Sequence, residues 1–265
     1  MRPEDFFDYL SLRKLAENPW EIVRFRKNQR AGETLEVRFR GAPPLFIRGG
    51  LSDFHMFHRI FLRDEYRLAE RAPASWECVV DVGANAGIFS TRVSRIAKRV
   101  ISYEPVPGHF EQLSRNTRGI AHVTAVPKAV SGKPGSIRIY RPLAESRSGA
   151  HSAFLENQGL SSEAYDEAEA VTLDSVFTEH RITRCDLLKL DVEGAEYDIL
   201  HAASDETFSR IHAIHGEYHD VRADDPRTRI DAFRVFLEGK GFAADVVPHR
   251  RKPNHGMIFA RRRST

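Results

Sequence analysis

The sequence predicts an α/β fold, a mostly parallel sheet with helices on both faces, preceded by a small cap of helices and short strands. Three observations predict it. Short, nearly uninterrupted apolar runs recur from residue 76 onward, segments with helical spacing separate them, and the first run ends in an acid followed by a two-glycine loop. Continuous apolar strands alternating with helices indicate a parallel sheet buried on both sides. The 265 residues are enough for one sizeable α/β domain with an elaboration. The boundary is placed at a cap over residues 1–72 and the α/β domain over 73–265.

Within the cap, Phe6, Phe7, Leu10, Leu12 and Leu15 recur at helical spacing, predicting an amphipathic helix over residues 3–17 that Pro19 ends. Glu21–Arg26, Thr34–Phe39 and Pro44–Arg48 alternate between turn residues and read as a small antiparallel meander. Asp53–Leu62 reads as a helix rich in aromatic residues, and Tyr66–Arg71 as its continuation or a second turn.

In the α/β domain the seven apolar runs are Cys78–Val82, Val100–Tyr103, Val123–Val126, Leu187–Leu190, Ile211–Ile214, Phe242–Val247 and Met257–Ala260. Helical patterns cover Ile88–Ala97, Gly108–Arg118, Ala195–Ala203 and Arg229–Lys240. The polar stretch Arg141–Ala170 reads as a long insertion or loop. Arg261, Arg262 and Arg263 read as a solvated basic terminus.

Composition narrows the function classes. Apolar residues make up 41% and charged residues 29%, as in ordinary globular proteins. A net charge of +3 is too small to argue for nucleic acid. Cys78 and Cys185 are the two cysteines, too few for a disulfide framework or a zinc site. Both lie in apolar runs and are expected to be buried thiols in a reducing compartment. The first residues mix acids with apolar residues, unlike a signal peptide or membrane span. The expectation is a cytoplasmic protein without a membrane or nucleic-acid partner.

The segment Val79-Val80-Asp81-Val82-Gly83-Ala84-Asn85-Ala86-Gly87-Ile88 is a strand, a glycine loop and a helix start, the Rossmann-like arrangement. Gly83 permits a tight turn and close backbone approach to a ligand, and Gly87 permits close packing of helix on strand. Dinucleotide sites present three glycines to a pyrophosphate. Here Asp81 would repel that group and suits a cofactor carrying an ammonium, such as S-adenosylmethionine. Glu104, about 20 residues on at the end of the next strand, stands where an acid accepts ribose hydroxyls. The bland reading is that Asp81 and Glu104 are solvated strand-end acids. Pro105 stops the strand and Pro107 begins the next helix.

The second cluster is Leu187-Leu188-Lys189-Leu190-Asp191-Val192-Glu193-Gly194-Ala195-Glu196. Lys189 interrupts a central strand and needs an anionic partner, for which Asp81, Asp191 and Glu217 are candidates. A structural ion pair and a catalytic role weigh equally for it. Glu193 divides evenly between a functional role and a helix-start role, while Glu196 reads as the helix start. Glu217 and His219 alternate onto one strand face, and a histidine beside a carboxylate can take a hydroxyl proton. His219 is the first choice of base, oriented by Asp191 or Glu217. Asp191, Glu217 and His219 also have the donor types of a divalent-metal set, but no metal is expected. His212 and His215 read as structural or exposed.

Together these segments resemble the FkbM family of methyltransferases. The matching pieces are VVDVGANAGIFS (79–90), YEPVP (103–107), FEQLSRN (110–116), VTLDSV (171–176), LLKLDVEGAEYDIL (187–200) and GEYHD (216–220), with DFHMFHRIFLRDEY (53–66) upstream. The resemblance covers about residues 51–220, and KLDVEGAE is its most specific run. It implies a seven-stranded sheet whose last strand is antiparallel to its neighbours. It implies that Asp81, Gly83, Asn85, Gly87 and Glu104 line S-adenosylmethionine, with Ala84, Pro105, Asp191 and Tyr66 completing the candidate set. It also implies O-methylation of a small-molecule or carbohydrate acceptor. Phe57, Phe61 and Tyr66 are candidates for closing over the site, with core packing the stronger reading for the two phenylalanines. The competing classes are a non-catalytic cofactor-binding protein, an NAD-dependent oxidoreductase, which the missing third glycine disfavours, and a nucleic-acid methyltransferase.

Overall fold

The computed structural model describes residues 3–69, 76–143, 151–154, 160–220, 225–250 and 252–263, with side chains from residue 8 onward except at residues 252 and 253. The side chains of Phe6 and Phe7, and residues 70–71 of the Tyr66–Arg71 segment, therefore lie outside the described set.

The chain opens with α1 (Pro3–Leu15) and α2 (Pro19–Lys27), followed by the hairpin of β1 (Thr34–Val37) and β2 (Leu45–Arg48). Glu21–Arg26 is thus helical and not a strand. Pro19 begins α2 rather than merely ending α1, because proline's fixed φ and missing N–H suit a first helical turn. Ile22 and Val23 are buried while Glu21 and Arg24 face out, a pattern the short alternation concealed. The predicted meander is therefore a two-stranded hairpin. Next, α3 (Asp53–Phe57) runs into a π-helical turn at His58–Leu62, and Tyr66–Ala69 does not extend it as an α-helix.

The main sheet contains β3 (Val79–Val82), β4 (Val100–Tyr103), β5 (Val123–Val126), β9 (Leu187–Leu190), β10 (Ala213–His219), β11 (Phe242–His249) and β12 (Lys252–Arg262). Their spatial order is β11-β12-β10-β9-β3-β4-β5. All neighbouring pairs are parallel except those of β12, which is antiparallel to both β10 and β11. This is the seven-stranded, mostly parallel Rossmann-like sheet that the sequence predicts.

Strand alternation divides the interior into two cores. Val79, Val100, Leu187 and Ala213 join the cap residues Leu12, Ile22, Val37, Leu45 and Phe57 on one face. Val80, Ile101, Leu188 and Ile214 face the other side, which is covered by α6 (Leu173–Glu179), α7 (Glu196–Ala202), α8 (Asp205–Arg210) and α9 (Ile230–Gly239). With a period of two, Asp81, Lys189, Asp191, Glu217 and His219 all fall on the cap face. The sequence alternation therefore gathers them beneath the N-terminal elements.

Between β3 and β4 lies α4 (Ile88–Val93), shorter than the predicted Ile88–Ala97, and α5 (Pro107–Thr117) follows β4. Asn116 of α5 ties cap to core. Its amide accepts from Phe46 N and donates to Phe46 O and Ala86 O.

The polar Arg141–Ala170 stretch is not simply a loop. Its flanks belong to β7 (Gly135–Pro142) and β8 (Leu160–Val171), which pair antiparallel and form a second small sheet with β6 (Ala129–Val130). Residues 144–150 and 155–159 lie outside the described set. Nor is the basic terminus simply solvated, since Arg262 belongs to β12 and donates to Ile211 O and Phe208 O. Cys78 and Cys185 are buried free thiols. Among the described residues, no helix is long and apolar enough to cross a membrane.

Candidate cofactor and acceptor cleft

The C-terminal ends of β3, β4, β9 and β10 border a cleft of about 680 Å³, closed on the other side by α3, the π turn and part of the β7–β8 hairpin. Clefts of this size hold small ligands, and open α/β sheets place them at the strand ends. Of the residues singled out from sequence, Tyr66, Gly83, Ala84, Asn85, Glu104, Pro105, Lys189, Asp191, Glu217 and His219 all line it.

The β3–β4 side is shaped by backbone. Gly83 has φ +78°, and a Cβ there would lie 2.0 Å from the carbonyl oxygen of Asp191. Only glycine lets the loop cross so near the end of β9. Asn85 takes a positive φ of 48°, and its side chain accepts from Ala86 N at 2.7 Å. Glu104 holds the rim in place. Its two carboxylate oxygens accept from Asn85 N at 2.8 Å and Val106 N at 2.9 Å. Each oxygen retains capacity for a second donor such as a ribose hydroxyl.

Asp81 and Gly87 stand elsewhere. Asp81 is completely buried and is not among the lining residues. It accepts from Ser90 Oγ at 2.6 Å and pairs with Lys189 Nζ at 3.1 Å. Its charge is matched internally, so the direct attraction for an ammonium that the sequence suggested is not the arrangement found. The register sets Asp81 opposite Lys189 across β3 and β9, making Asp81 the partner this buried lysine requires. Gly87 serves packing, since a Cβ there would meet Leu113 of α5 at 2.7 Å.

Lys189 is also a structural clamp. Besides Asp81, it donates to Gly83 O at 2.6 Å and lies 4.0 Å from Asp191 Oδ2. Burial disfavours its charge, yet Asp81 and Asp191 outweigh that and raise its pKa above the ordinary lysine value. The ammonium is therefore permanent at neutral pH and holds the glycine loop to the strand beside it.

The β9–β10 side is shaped by charge. Asp191 Oδ2 accepts from the Tyr66 hydroxyl at 3.0 Å. Tyr66 is placed by His215, whose Nδ1 lies 2.8 Å from the Tyr66 carbonyl, so His215 is structural. Glu217 pairs with Arg59 at 3.2 Å, and Arg59 also pairs with Glu65 at 2.5 Å. Burial and the nearby Glu217 raise the Asp191 carboxyl, against the pull of Lys189. Burial pushes Glu193 up to about 7, with Asp191 and Glu217 adding to it and His219 opposing.

His219 is almost wholly buried. Its Nδ1 lies 2.9 Å from Glu196 Oε1 and its Nε2 3.5 Å from Glu193 Oε2. Burial works against the charged ring, but Glu196 and Glu193 overcome it and raise His219 to about 10. A ring raised this way favours the protonated form, which cannot take a hydroxyl proton. Glu196 does more than start a helix. It also accepts from Val192 N at 3.0 Å and Gly194 N at 2.9 Å, closing the turn that presents Glu193.

Asp191, Glu217 and His219 each offer one atom within 4.8 Å of the others. Arg59 already supplies positive charge to Glu217, and the Tyr66 hydroxyl occupies Asp191. The set reads as an ion-pair network. Phe57 is fully buried and stacks with Phe61, which also stacks on Phe39. Both rings are core packing and neither closes the cleft.

Sequence reasoning missed Arg59, Glu65 and Ser152. Arg59 was detectable as a lone cation in the aromatic-rich Asp53–Leu62 helix. Ser152, whose Oγ donates to Glu193 O at 2.7 Å, carries no sequence signal.

With this geometry in hand, comparison with known proteins is informative. The model of the methyltransferase FkbM domain matches residues 81–243. The chain belongs to the FkbM methyltransferase family. It is similar to the 31-O-demethyl-FK506 methyltransferase FkbM of Streptomyces tacrolimicus, at 30% identity over 218 residues, 71% of this chain and 82% of that one. It is 27% identical over 191 residues to methyltransferase 1 of Beauveria bassiana, covering 63% of this chain and 73% of that one. A 28% match over 227 residues to the AMB antimetabolite synthetase AmbE of Pseudomonas aeruginosa covers 72% of this chain but spans only 11% of that protein's length. Among solved structures, an FkbM methyltransferase from Methylobacillus flagellatus KT superposes with a TM-score of 0.50 at 12% identity. It covers 97% of this chain and 59% of that one. As an FkbM-family member, this chain is an S-adenosylmethionine-dependent methyltransferase.

Proposed function

We propose that the protein O-methylates a hydroxyl on a sugar, glycan or secondary metabolite. The observation that carries this reading is the continuity of one cleft. It runs from a glycine-and-Glu104 rim suited to the nucleoside to a wall of carboxylates suited to a hydroxyl and its proton. The S. tacrolimicus relative is named for methylating an oxygen, which supports the same choice of atom.

In this reading Gly83, Ala84, Asn85, Glu104 and Pro105 hold the cofactor, with Tyr66 and Asp191 at its far end. Lys189 and Asp81 keep the glycine loop in place from behind, and Gly87 packs its helix. When bound, S-adenosylmethionine supplies an electrophilic methyl group on a positively charged sulfur. The carboxylates Asp191, Glu193 and Glu217 favour that charge and can accept the proton a hydroxyl loses. The chain's own task is to place the hydroxyl in line and keep the site dry. We place the cap (residues 1–72) on the acceptor side, where Ser52, His55, Met56 and Arg59 line the cleft. An acidic wall repels phosphate backbones, so a nucleic-acid acceptor is disfavoured.

The test is a screen of neutral sugars, glycans and hydroxylated metabolites with methyl-labelled S-adenosylmethionine. The expected result is label in an alkali-stable ether. Label found on nitrogen or carbon, or in no acceptor although adenosylhomocysteine binds, overturns the O-methylation reading.

A further inference from the structure

We propose that Glu193 takes the proton from the acceptor hydroxyl, and that His219 is a fixed imidazolium held between Glu196 and Glu193. The inference deepens the reading above and rests on it.

The geometry makes the case. Both ring nitrogens of His219 face carboxylate oxygens, Glu196 at 2.9 Å and Glu193 at 3.5 Å. With both carboxylates ionised, a neutral imidazole would turn a lone pair toward one of those oxygens, which is repulsive, so both nitrogens carry protons. Glu196 is itself an acceptor on every face shown, since it also receives Val192 N and Gly194 N. It anchors the ring from the buried side.

The neighbouring acids Glu217, on β10, and Asp191, at the end of β9, also favour the charged ring, while the ring of His255 from β12 stands edge-on with its centroid 4.9 Å away. Arg59 pairs with Glu217, and Lys189 lies beside Asp191. His219 thus supplies a cation to a crowded set of acids and has no lone pair to offer a hydroxyl.

Glu193 is placed differently. Its backbone is in the left-handed region, φ 52°, a strained conformation for a non-glycine residue that concentrates at functional sites. Gly194 continues the turn at φ 111°, and Ser152 Oγ holds the Glu193 carbonyl. At this turn Glu193 lines the cleft. Asp191 is engaged by Tyr66, Glu217 by Arg59 and Glu193 by His219. A carboxyl pushed up to about 7 by burial is well matched to proton transfer at neutral pH.

The step balances. The acceptor oxygen bonds to the methyl carbon as the carbon–sulfur bond breaks with its electron pair going to sulfur. The hydroxyl proton passes to a Glu193 oxygen, which later releases it to solvent. Glu196 acts through His219 and is a positioning residue.

The experiment uses full-length protein labelled with ¹⁵N-histidine and ¹³C-carboxyl glutamate, saturated with adenosylhomocysteine and followed by NMR from about pH 5 to 10. The expected result is that His219 stays doubly protonated through neutrality while Glu193 titrates near neutral pH. In Glu196→Gln the His219 transition falls toward the ordinary histidine range, and in Glu196→Asp it is largely restored. A His219 that is singly protonated at neutral pH in the unmutated protein overturns the proposal.

With the acceptor returned by the labelled-methyl screen, Glu193→Gln is expected to lower kcat about 100-fold or more while the adenosylhomocysteine Kd stays within twofold. Sign follows from the required form. The base works ionised, so wild-type kcat falls as pH drops below about 7, and this limb disappears in Glu193→Gln. A variant that binds adenosylhomocysteine and keeps more than a tenth of kcat overturns the proposal and leaves the methyltransferase reading standing. Failure of the unmutated protein to bind adenosylhomocysteine is instead the failure of that reading.

Discussion

The two sides of the cleft are built by different physics. On the β3–β4 side, shape comes from main chain. Gly83 and Asn85 adopt positive φ, and Glu104 bonds two backbone amides. On the β9–β10 side, shape comes from charge, with Asp191, Glu193, Glu196 and Glu217 set among Lys189, Arg59 and His219. The difference teaches how each side tolerates change. A backbone-built wall fails by steric overlap and loses shape, whereas a charge-built wall keeps its outline and loses its protonation pattern. Lys189 joins the two, since it bonds Gly83 O and pairs with Asp81 while approaching Asp191.

Gly83→Ala is the strongest way to break this contrast. The added methyl would sit 2.0 Å from Asp191 O on a residue with φ +78°, so the ends of β3 and β9 must part. We expect a stability loss of at least about 4 kcal/mol, in the diagnostic tail of single substitutions. Calorimetry should also show adenosylhomocysteine affinity falling below detection in whatever fraction stays folded. Near-normal melting and binding would mean that the loop is pliant and that the wall is not backbone-limited.

Lys189→Met tests the joint. It removes the ammonium but keeps the length of the chain, leaving Asp81 wholly buried opposite an apolar side chain. Breaking a buried pair from one side costs about 3–5 kcal/mol, measurable by chemical denaturation. A double substitution, Lys189→Met with Asp81→Asn, should recover part of that loss, because the stranded charge is gone. If the single substitution were neutral in stability while turnover collapsed, the catalytic role weighed for Lys189 would replace the clamp.

The same contrast separates what was legible in the sequence from what was not. Strand positions and the glycine turn were readable because they depend on local periodicity and on sterics at one residue. The alternation that put Asp81, Lys189, Asp191, Glu217 and His219 on one face was readable too. Which way a charge is spent on a neighbour was not. Asp81 turned out to serve Lys189 because β9 lies beside β3 in that register, and the pKa of His219 is raised because Glu196 reaches it from α7. Both facts are tertiary. The α2 segment misled for another reason, since six residues cannot distinguish a strand period from a short helix that starts at a proline. The β7–β8 hairpin was hidden because its strands are largely exposed and β8 alternates only small alanines with acids.

The mildest test concerns Glu104, the one charged group on the backbone-built wall whose oxygens remain at the cleft. In Glu104→Gln one amide oxygen can still accept a backbone N–H, but the NH₂ group must face the other, so one charge-assisted hydrogen bond is lost. We expect about a tenfold weaker adenosylhomocysteine Kd, equivalent to roughly 1.4 kcal/mol, with a small decrease in melting temperature. The loss should shrink with 2′-deoxyadenosylhomocysteine, because a ligand lacking one ribose hydroxyl no longer depends on both carboxylate oxygens. Equal weakening for both ligands would assign Glu104 to the loop alone. The ribose would then be held by backbone groups, and this side of the cleft would owe nothing to charge.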